Sequence, residues 1–254
     1  LPANFTILED TLSDLIFTGF DLRDADGENG ETLTIELTTA TGGLLFASDA
    51  GGVTVTGNNS DTMTLSGTRA DLNTFLTSSS RVQYQHGVTH TEGTASDTIT
   101  VVANDNGNTG NGGGTDQTLG TVQVNITNIN DAPSGSDNTI TIDEDNSHTF
   151  TLADFGYSDV EGDQFEFVHI DTLPGSGRLL YNGSAVTATD DVHYNDINSG
   201  LLTYEPVADE NGSGYASFTF RVQDDGGTAN SGSDIDPVAN TITFDVTAQN
   251  DVAD

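Results

Sequence analysis

An alternating run that closes on an Asn-Asp joint, and that occurs twice, constrains this chain more than any other feature. Val122, Val124 and Ile126 lead into Asn128-Ile129-Asn130-Asp131-Ala132-Pro133, and 120 residues on Ile242, Phe244 and Val246 lead into Gln249-Asn250-Asp251. Apolar residues at every second position make a strand with one buried face. A strand that ends on Asn-Asp and runs into proline reads as the joint between two copies of one module.

The two halves superpose elsewhere too. Phe5-Thr6-Ile7-Leu8-Glu9-Asp10 matches Ile140-Thr141-Ile142-Asp143-Glu144-Asp145 at a shift of 135, and Gly42-Gly43-Leu44-Leu45-Phe46 meets Gly177-Arg178-Leu179-Leu180-Tyr181 at the same shift. From Val82-Gln83-Tyr84 against Leu202-Thr203-Tyr204 onward the shift is 120. A longer middle hairpin in the first half, around Gly51 to Gly67, accounts for most of the change. Variation confined to loops is what a shared sandwich predicts. The expected modules are residues 1–131 and 132–254.

Thr, Val, Ile, Phe, Gly, Asn and Asp dominate, which favours short strands separated by turns. The second copy is expected to carry seven strands on two sheets: 139–143, 148–152, 164–170, 178–181, 200–204, 216–223 and 240–247. The fold class predicted is all-β, two tandem sandwiches. Asp71–Leu76 and Asn195–Asn198 could each make a helical turn, and a crossing between sheets is the preferred reading. The Gly/Asn-rich stretches 104–114 and 226–232 read as flexible hairpin loops.

Charge limits the partners. Forty acidic residues face five basic ones, for a net charge of −35, and all five are arginines. Phosphate binding needs a basic face, so nucleic acid is excluded as a partner, and an anionic membrane surface is disfavoured for the same reason. No apolar run approaches the ~20 residues of a membrane span. Nothing at the N-terminus reads as a signal peptide, and Leu1 is expected to open a slice of something longer. Cysteine is absent, which removes disulfides and sulfur-based zinc sites. A secreted β-protein without disulfides needs another staple, and divalent cations suit this charge.

The carboxylates sit at strand ends. Glu9 and Glu144 end the first strand of each copy, Asp24 and Asp26 match Asp159 and Glu161 in the following turn, and Asp105 and Asp224 end the penultimate strand. Asn130 and Asp131 add linker oxygens, as do Asn250 and Asp251. Calcium takes 6–8 oxygen ligands from just such groups. An early Glu, an Asp-x-Asp turn, an Ala-x-Asp-x-Gly turn and a closing Asn-Asp linker together resemble a cadherin repeat. The likeness is best to the bacterial cadherin-like tandem repeats of large type I-secreted adhesins of the RTX or biofilm type.

That resemblance implies two tandem seven-stranded Greek-key sandwiches of cadherin/Ig type, with Ca2+ between consecutive modules. Glu9, Asn130, Asp131, Asp159, Glu161 and Asp224 would share the internal junction. Asp24, Asp26 and Asp105 would serve a preceding junction, and Glu144, Asn250 and Asp251 a following one. Glu161 departs from the family's second Asp, and no clear Leu-Asp-Arg-Glu motif is present. The resemblance further implies an extracellular, surface-bound location and a role in adhesion and biofilm formation. Partners would be neighbouring repeats of the same chain, a surface polysaccharide, or a like module on another cell.

No catalytic constellation stands beside these motifs, so the chain is not expected to be an enzyme. The five histidines are scattered; His86 and His90 are four apart, but that spacing makes a metal face only on a helix. Tyr84 and Tyr204 match across the copies and are expected in the core. The remaining tyrosines, among them Tyr157, Tyr181, Tyr194 and Tyr215, leave sugar stacking open. The alternative function is therefore a carbohydrate- or protein-binding module of an adhesin or of a secreted polysaccharide-degrading enzyme.

Overall fold

The computed structural model describes residues 1–23, 30–86, 93–107 and 114–250. The chain divides into two compact units, Leu1–Ile129 and Asn130–Asp254. The regular structure of each is almost wholly strand.

In the first unit the strands are β1 Asn4–Leu8, β2 Ser13–Asp14, β3 Thr32–Thr39, β4 Gly43–Phe46, β5 Thr54–Thr56, β6 Thr62–Thr68, β7 Gln83–His86, β8 Gly93–Asn104 and β9 Gln117–Thr127. They form a six-stranded sheet in the order β1-β9-β8-β3-β6-β5 and a three-stranded sheet in the order β2-β7-β4. The second unit has β10 Asn138–Asp143, β11 His148–Thr149, β12 Phe165–Ile170, β13 Arg178–Tyr181, β14 Ser184–Ala185, β15 Asp191–His193, β16 Leu202–Glu205, β17 Gly212–Asp224 and β18 Asn240–Thr247. Its sheets run β10-β18-β17-β12-β15 and β11-β16-β13-β14. Six of the seven strands expected in this copy form close to their expected bounds, whereas of 148–152 only His148–Thr149 is strand and Leu152 opens a 3-10 segment. Two short ones, β14 and β15, add to them.

Strict alternation places one face of each strand inside. On β3, Leu33, Ile35 and Leu37 are buried while Thr32 and Glu36 are exposed. On β17 and β18, Phe218, Phe220, Val222, Ile242, Phe244 and Val246 line the second core. Tyr84 and Tyr204 are fully buried, and the Tyr204 ring stacks on Phe244. Burying rings of this size supplies a large share of each core's apolar area.

The first strand of each unit pairs in parallel with the last. Leu8 stands against Thr127 and Asp143 against Thr247, so the 135 and 120 offsets that align the sequence halves also align their registers. The backbone N–H groups of Glu9 and Glu144 continue both ladders, donating to the carbonyls of Thr127 and Thr247. The extra length of the first half builds the β5–β6 hairpin, whose β6 pairs along β3 from Thr32 to Thr38.

The expected crossings differ from what forms. Arg69–Thr77 is a nine-residue helix, α1, and Tyr194–Asn198 is a short helix, α2. In α1 the Thr68 hydroxyl caps the Asp71 N–H, and Leu72, Phe75 and Leu76 bury one face. The i, i+3, i+4 spacing was visible in the sequence, but a single turn carries too little periodicity to outweigh the strand-rich surroundings.

Candidate calcium site

The turn between the 3-10 segment Leu152–Phe155 and β12 carries Asp159, Glu161 and Asp163, and carboxylate oxygens of all three lie within 4.8 Å of one another. Local bonds shape this turn. Asp159 accepts the Asp163 N–H at 2.8 Å, and the Tyr157 hydroxyl donates to the Asp163 carbonyl at 2.6 Å. The Tyr157 ring stacks on Phe165, which anchors the turn to the core.

Asp224, at the end of β17, closes the site from a second segment and is 1% exposed. Its Oδ1 accepts the Gly226 N–H at 2.9 Å and the Asn130 side-chain amide at 3.0 Å. Asn130 supplies the third segment and is 6% exposed. Its side-chain amide also donates to the Ser233 carbonyl at 2.8 Å, and its backbone carbonyl accepts the Ser233 N–H. The backbone N–H of Asp131, a half-buried residue, donates to Glu161 at 3.0 Å. Both residues of the joint are therefore bonded into the second unit.

These bonds leave specific oxygens over. Asn130 Oδ1, Asp159 Oδ2 and Asp224 Oδ2 are buried without a hydrogen-bond partner. A buried acceptor left so costs about 1–3 kcal/mol, more for a charge. Burial pushes the Asp224 carboxyl up to about 6, and the charges of Asp159 and Asp163 add to the shift, although the bonds from Gly226 and Asn130 act against it. Three oxygen acceptors converging in a site that disfavours its own negative charge fit a hard cation. Asn130, Asp159, Glu161, Asp163 and Asp224 would hold calcium, and the all-oxygen donor set is the one calcium prefers.

Gly226 shows how tightly the segments close. A Cβ there would lie 1.9 Å from Asn130 Oδ1 and 2.3 Å from Asp163 Oδ2. Gly226→Ala is accordingly expected to push these two oxygens apart and weaken calcium binding at least tenfold, measured by calorimetric titration. Wild-type affinity in that variant would remove the Gly226 side of the site. A Cβ on Gly232 would likewise lie 3.0 Å from the backbone nitrogen and oxygen of Asn130. Both ends of the largely exposed 226–232 stretch thus lie close to Asn130.

Glu9 is buried at the end of β1 and accepts the Ile129 N–H at 3.5 Å. Glu144, its counterpart beyond β10, accepts the Gln249 N–H at 2.6 Å and the Asn211 amide at 2.9 Å. Those two bonds, Gln249's first, hold its carboxyl below the ordinary range. Asp105 is half-buried and accepts the Gly107 N–H at 3.0 Å, the same local turn that Asp224 makes with Gly226. Asn250 is exposed. Asp24, Asp26 and Asp251 lie outside the described residues. Asp163 was not among the predicted ligands. Its signal was present in the sequence, since the Asp24-x-Asp26-x-Glu28 spacing recurs as Asp159-x-Glu161-x-Asp163.

The fold is an all-β sandwich of Ig/cadherin type, and residues 130–236 match the family model described as Bacterial Ig domain. That match covers most of the second unit. No curated protein matches the chain. Among solved structures, EC1-2 of human mucin-like protocadherin is 16% identical, with 97% of this chain and 96% of that one covered and a TM-score of 0.37. Mouse cadherin-23 EC22-24 is 15% identical, with 96% and 64% covered and a TM-score of 0.38. The endo-fucoidan hydrolase MfFcnA4 of glycoside hydrolase family 107 is 16% identical at a TM-score of 0.29. This chain spans 28% of that hydrolase's length. Among the described residues no helix is long and apolar enough to cross a membrane.

Proposed function

We propose that this chain is a pair of extracellular adhesion-type modules, part of a large secreted bacterial surface adhesin, whose second unit binds calcium through Asn130, Asp159, Glu161, Asp163 and Asp224. The observation that carries this reading is the set of partnerless buried oxygens on Asn130, Asp159 and Asp224, drawn from three separate chain segments. Calcium supplies positive charge and oxygen coordination at that point. Asn130 belongs to the joint itself, so binding restricts the segment that connects the two units, and a flexible pair becomes a stiffer spacer. Ordering such a segment costs conformational entropy, which the ion offsets only when bound.

Small-angle scattering tests the mechanical half of the proposal. The distribution of interatomic distances is expected to narrow when calcium is added and to broaden on chelation. An identical distribution in both conditions would sink the spacer role.

A further inference from the structure

The outer face of the β15–β12–β17 portion of the second unit's sheet carries aromatic side chains on this acidic molecule. Val192, Val168 and Val222 point into the core, so their alternates share the opposite face. Phe167 lies at the centre, with the His193 ring against it edge-on at 5.1 Å and the His169 ring 6.4 Å away. The Tyr194 ring follows, 4.6 Å from that of His193. All four rings are partly exposed.

The tyrosines sort themselves by their hydroxyls. Those of Tyr84, Tyr157, Tyr181, Tyr204 and Tyr215 donate to Asp97, Asp163, Asp196, Ser176 and Glu210. For the Tyr194 hydroxyl no hydrogen bond is found among the described residues. His193 Nδ1 accepts the Asn195 N–H at 3.1 Å, which leaves Nε2–H as an outward donor.

Planar polar groups are held rigid beside the rings. His169 bridges Asp191 at 2.5 Å and Gln223 at 2.8 Å, and the Gln223 amide donates to Asp234 at 3.0 Å. Arg221 pairs with Asp171 at 3.0 Å. Arg221 offsets only one of the three carboxylates here, Asp171, Asp191 and Asp234, so the patch stays acidic like the rest of a chain of net −35. A polyanion is repelled by such a body, whereas an uncharged ligand is not. Aromatic faces with fixed planar donors and acceptors suit a pyranose ring, which offers a C–H face to stack and a rim of hydroxyls. Groups already locked in place lose little entropy on binding.

We infer that the Phe167–His193–Tyr194 face binds a neutral polysaccharide, with sugar rings on the aromatic side chains and hydroxyls bonded to His193 Nε2–H, the Tyr194 hydroxyl and the exposed edge of Asp191. This function is separate from the calcium site and does not rest on it. The test is a titration of the isotopically labelled chain with cellohexaose, laminarihexaose and mannohexaose, followed by NMR, with an alginate hexamer as the acidic comparison. At least one neutral hexasaccharide is expected to shift the resonances of Phe167, His193 and Tyr194, with and without calcium. Tyr194→Ala and Phe167→Ala are each expected to weaken that binding at least tenfold. Tyr194 begins a surface helix, so its variant remains informative if Phe167→Ala does not fold. Absence of shifts with all three neutral sugars, shifts that map elsewhere, stronger binding of the alginate hexamer, or unchanged affinity in Tyr194→Ala would each overturn the assignment.

Discussion

Calcium at 10 mM is expected to raise the melting temperature of the second unit by roughly 5–12 °C, and Asp224→Asn to abolish the rise. Extracellular calcium modules bind at about 10⁻⁴ to 10⁻³ M. Ten millimolar ion is then about 10 to 100 times the dissociation constant, worth about 1.4–2.7 kcal/mol to the folded state. A unit of this size gains several degrees per kcal/mol. Asp224→Asn keeps the shape of the side chain and removes one negative charge from a site whose buried oxygens lack partners. The calcium-free variant is expected to melt no lower than the calcium-free wild type, since the lost charge was itself penalised by burial. Differential scanning calorimetry with and without chelator reads both effects. A wild-type melting point that ignores calcium would refute the site.

The second large effect lies in the first unit and is independent of calcium. Asp97, 1% exposed, is the hub of a buried network. Its Oδ1 accepts the N–H groups of Ala40, Thr41 and Thr98 at 2.9, 2.9 and 2.7 Å, and its Oδ2 accepts the Tyr84 hydroxyl at 2.8 Å. Gly43 is small because a Cβ there would lie 2.2 Å from the Tyr84 ring and 2.5 Å from Asp97 Oδ2. Asp97→Ala leaves the Tyr84 hydroxyl and up to three N–H groups without this acceptor, and is expected to cost about 4 kcal/mol. That is a large fraction of a domain's total stability. Asp97→Asn, which keeps one acceptor oxygen, is expected to cost about half as much. Thermal unfolding of the first unit measures both, and a loss under about 1 kcal/mol in Asp97→Ala would show the network to be ornamental.

The same network sets a pH dependence. Burial alone would raise the Asp97 carboxyl, but the bonds from Tyr84, Thr98, Ala40 and Thr41 outweigh it and hold the group below its ordinary value. Burial and the Asp97 bond push Tyr84 the other way, well above the usual phenol range. A carboxylate with a depressed folded value binds fewer protons folded than unfolded. Its stabilisation is present above the ordinary carboxylate value of about 4 and is lost as pH falls through the folded value. Acid unfolding of the first unit is therefore expected to begin below about pH 4 and to be shallower in Asp97→Asn.

Much of the architecture was legible before any coordinates. The alternation in Ile242, Phe244 and Val246 depends only on the period of a strand, and turn aspartates such as Asp159 and Asp224 declare themselves by Gly and Asx neighbours. The full extent of helix α1 was not legible: Asp71–Leu76 offered one helical turn among strands, and the Thr68 cap is a common turn residue as well. Asp97 was equally hidden. In sequence it is one more acidic residue beside Thr98, and only packing against Tyr84 makes it a buried acceptor.

From sequence alone, then, come the repeat, its strands and the acidic strand ends, since periodicity and turn chemistry are local properties. Tertiary structure decided which oxygens meet. Asn130 faces Asp224 across 94 residues of chain, and Gly226 and Gly232 lie close to it. Asp163 joins Asp159 and Glu161, and among the described residues the Tyr194 hydroxyl meets no partner while five other tyrosines bond theirs. Such meetings depend on how distant strands pair and pack, and no local pattern encodes that.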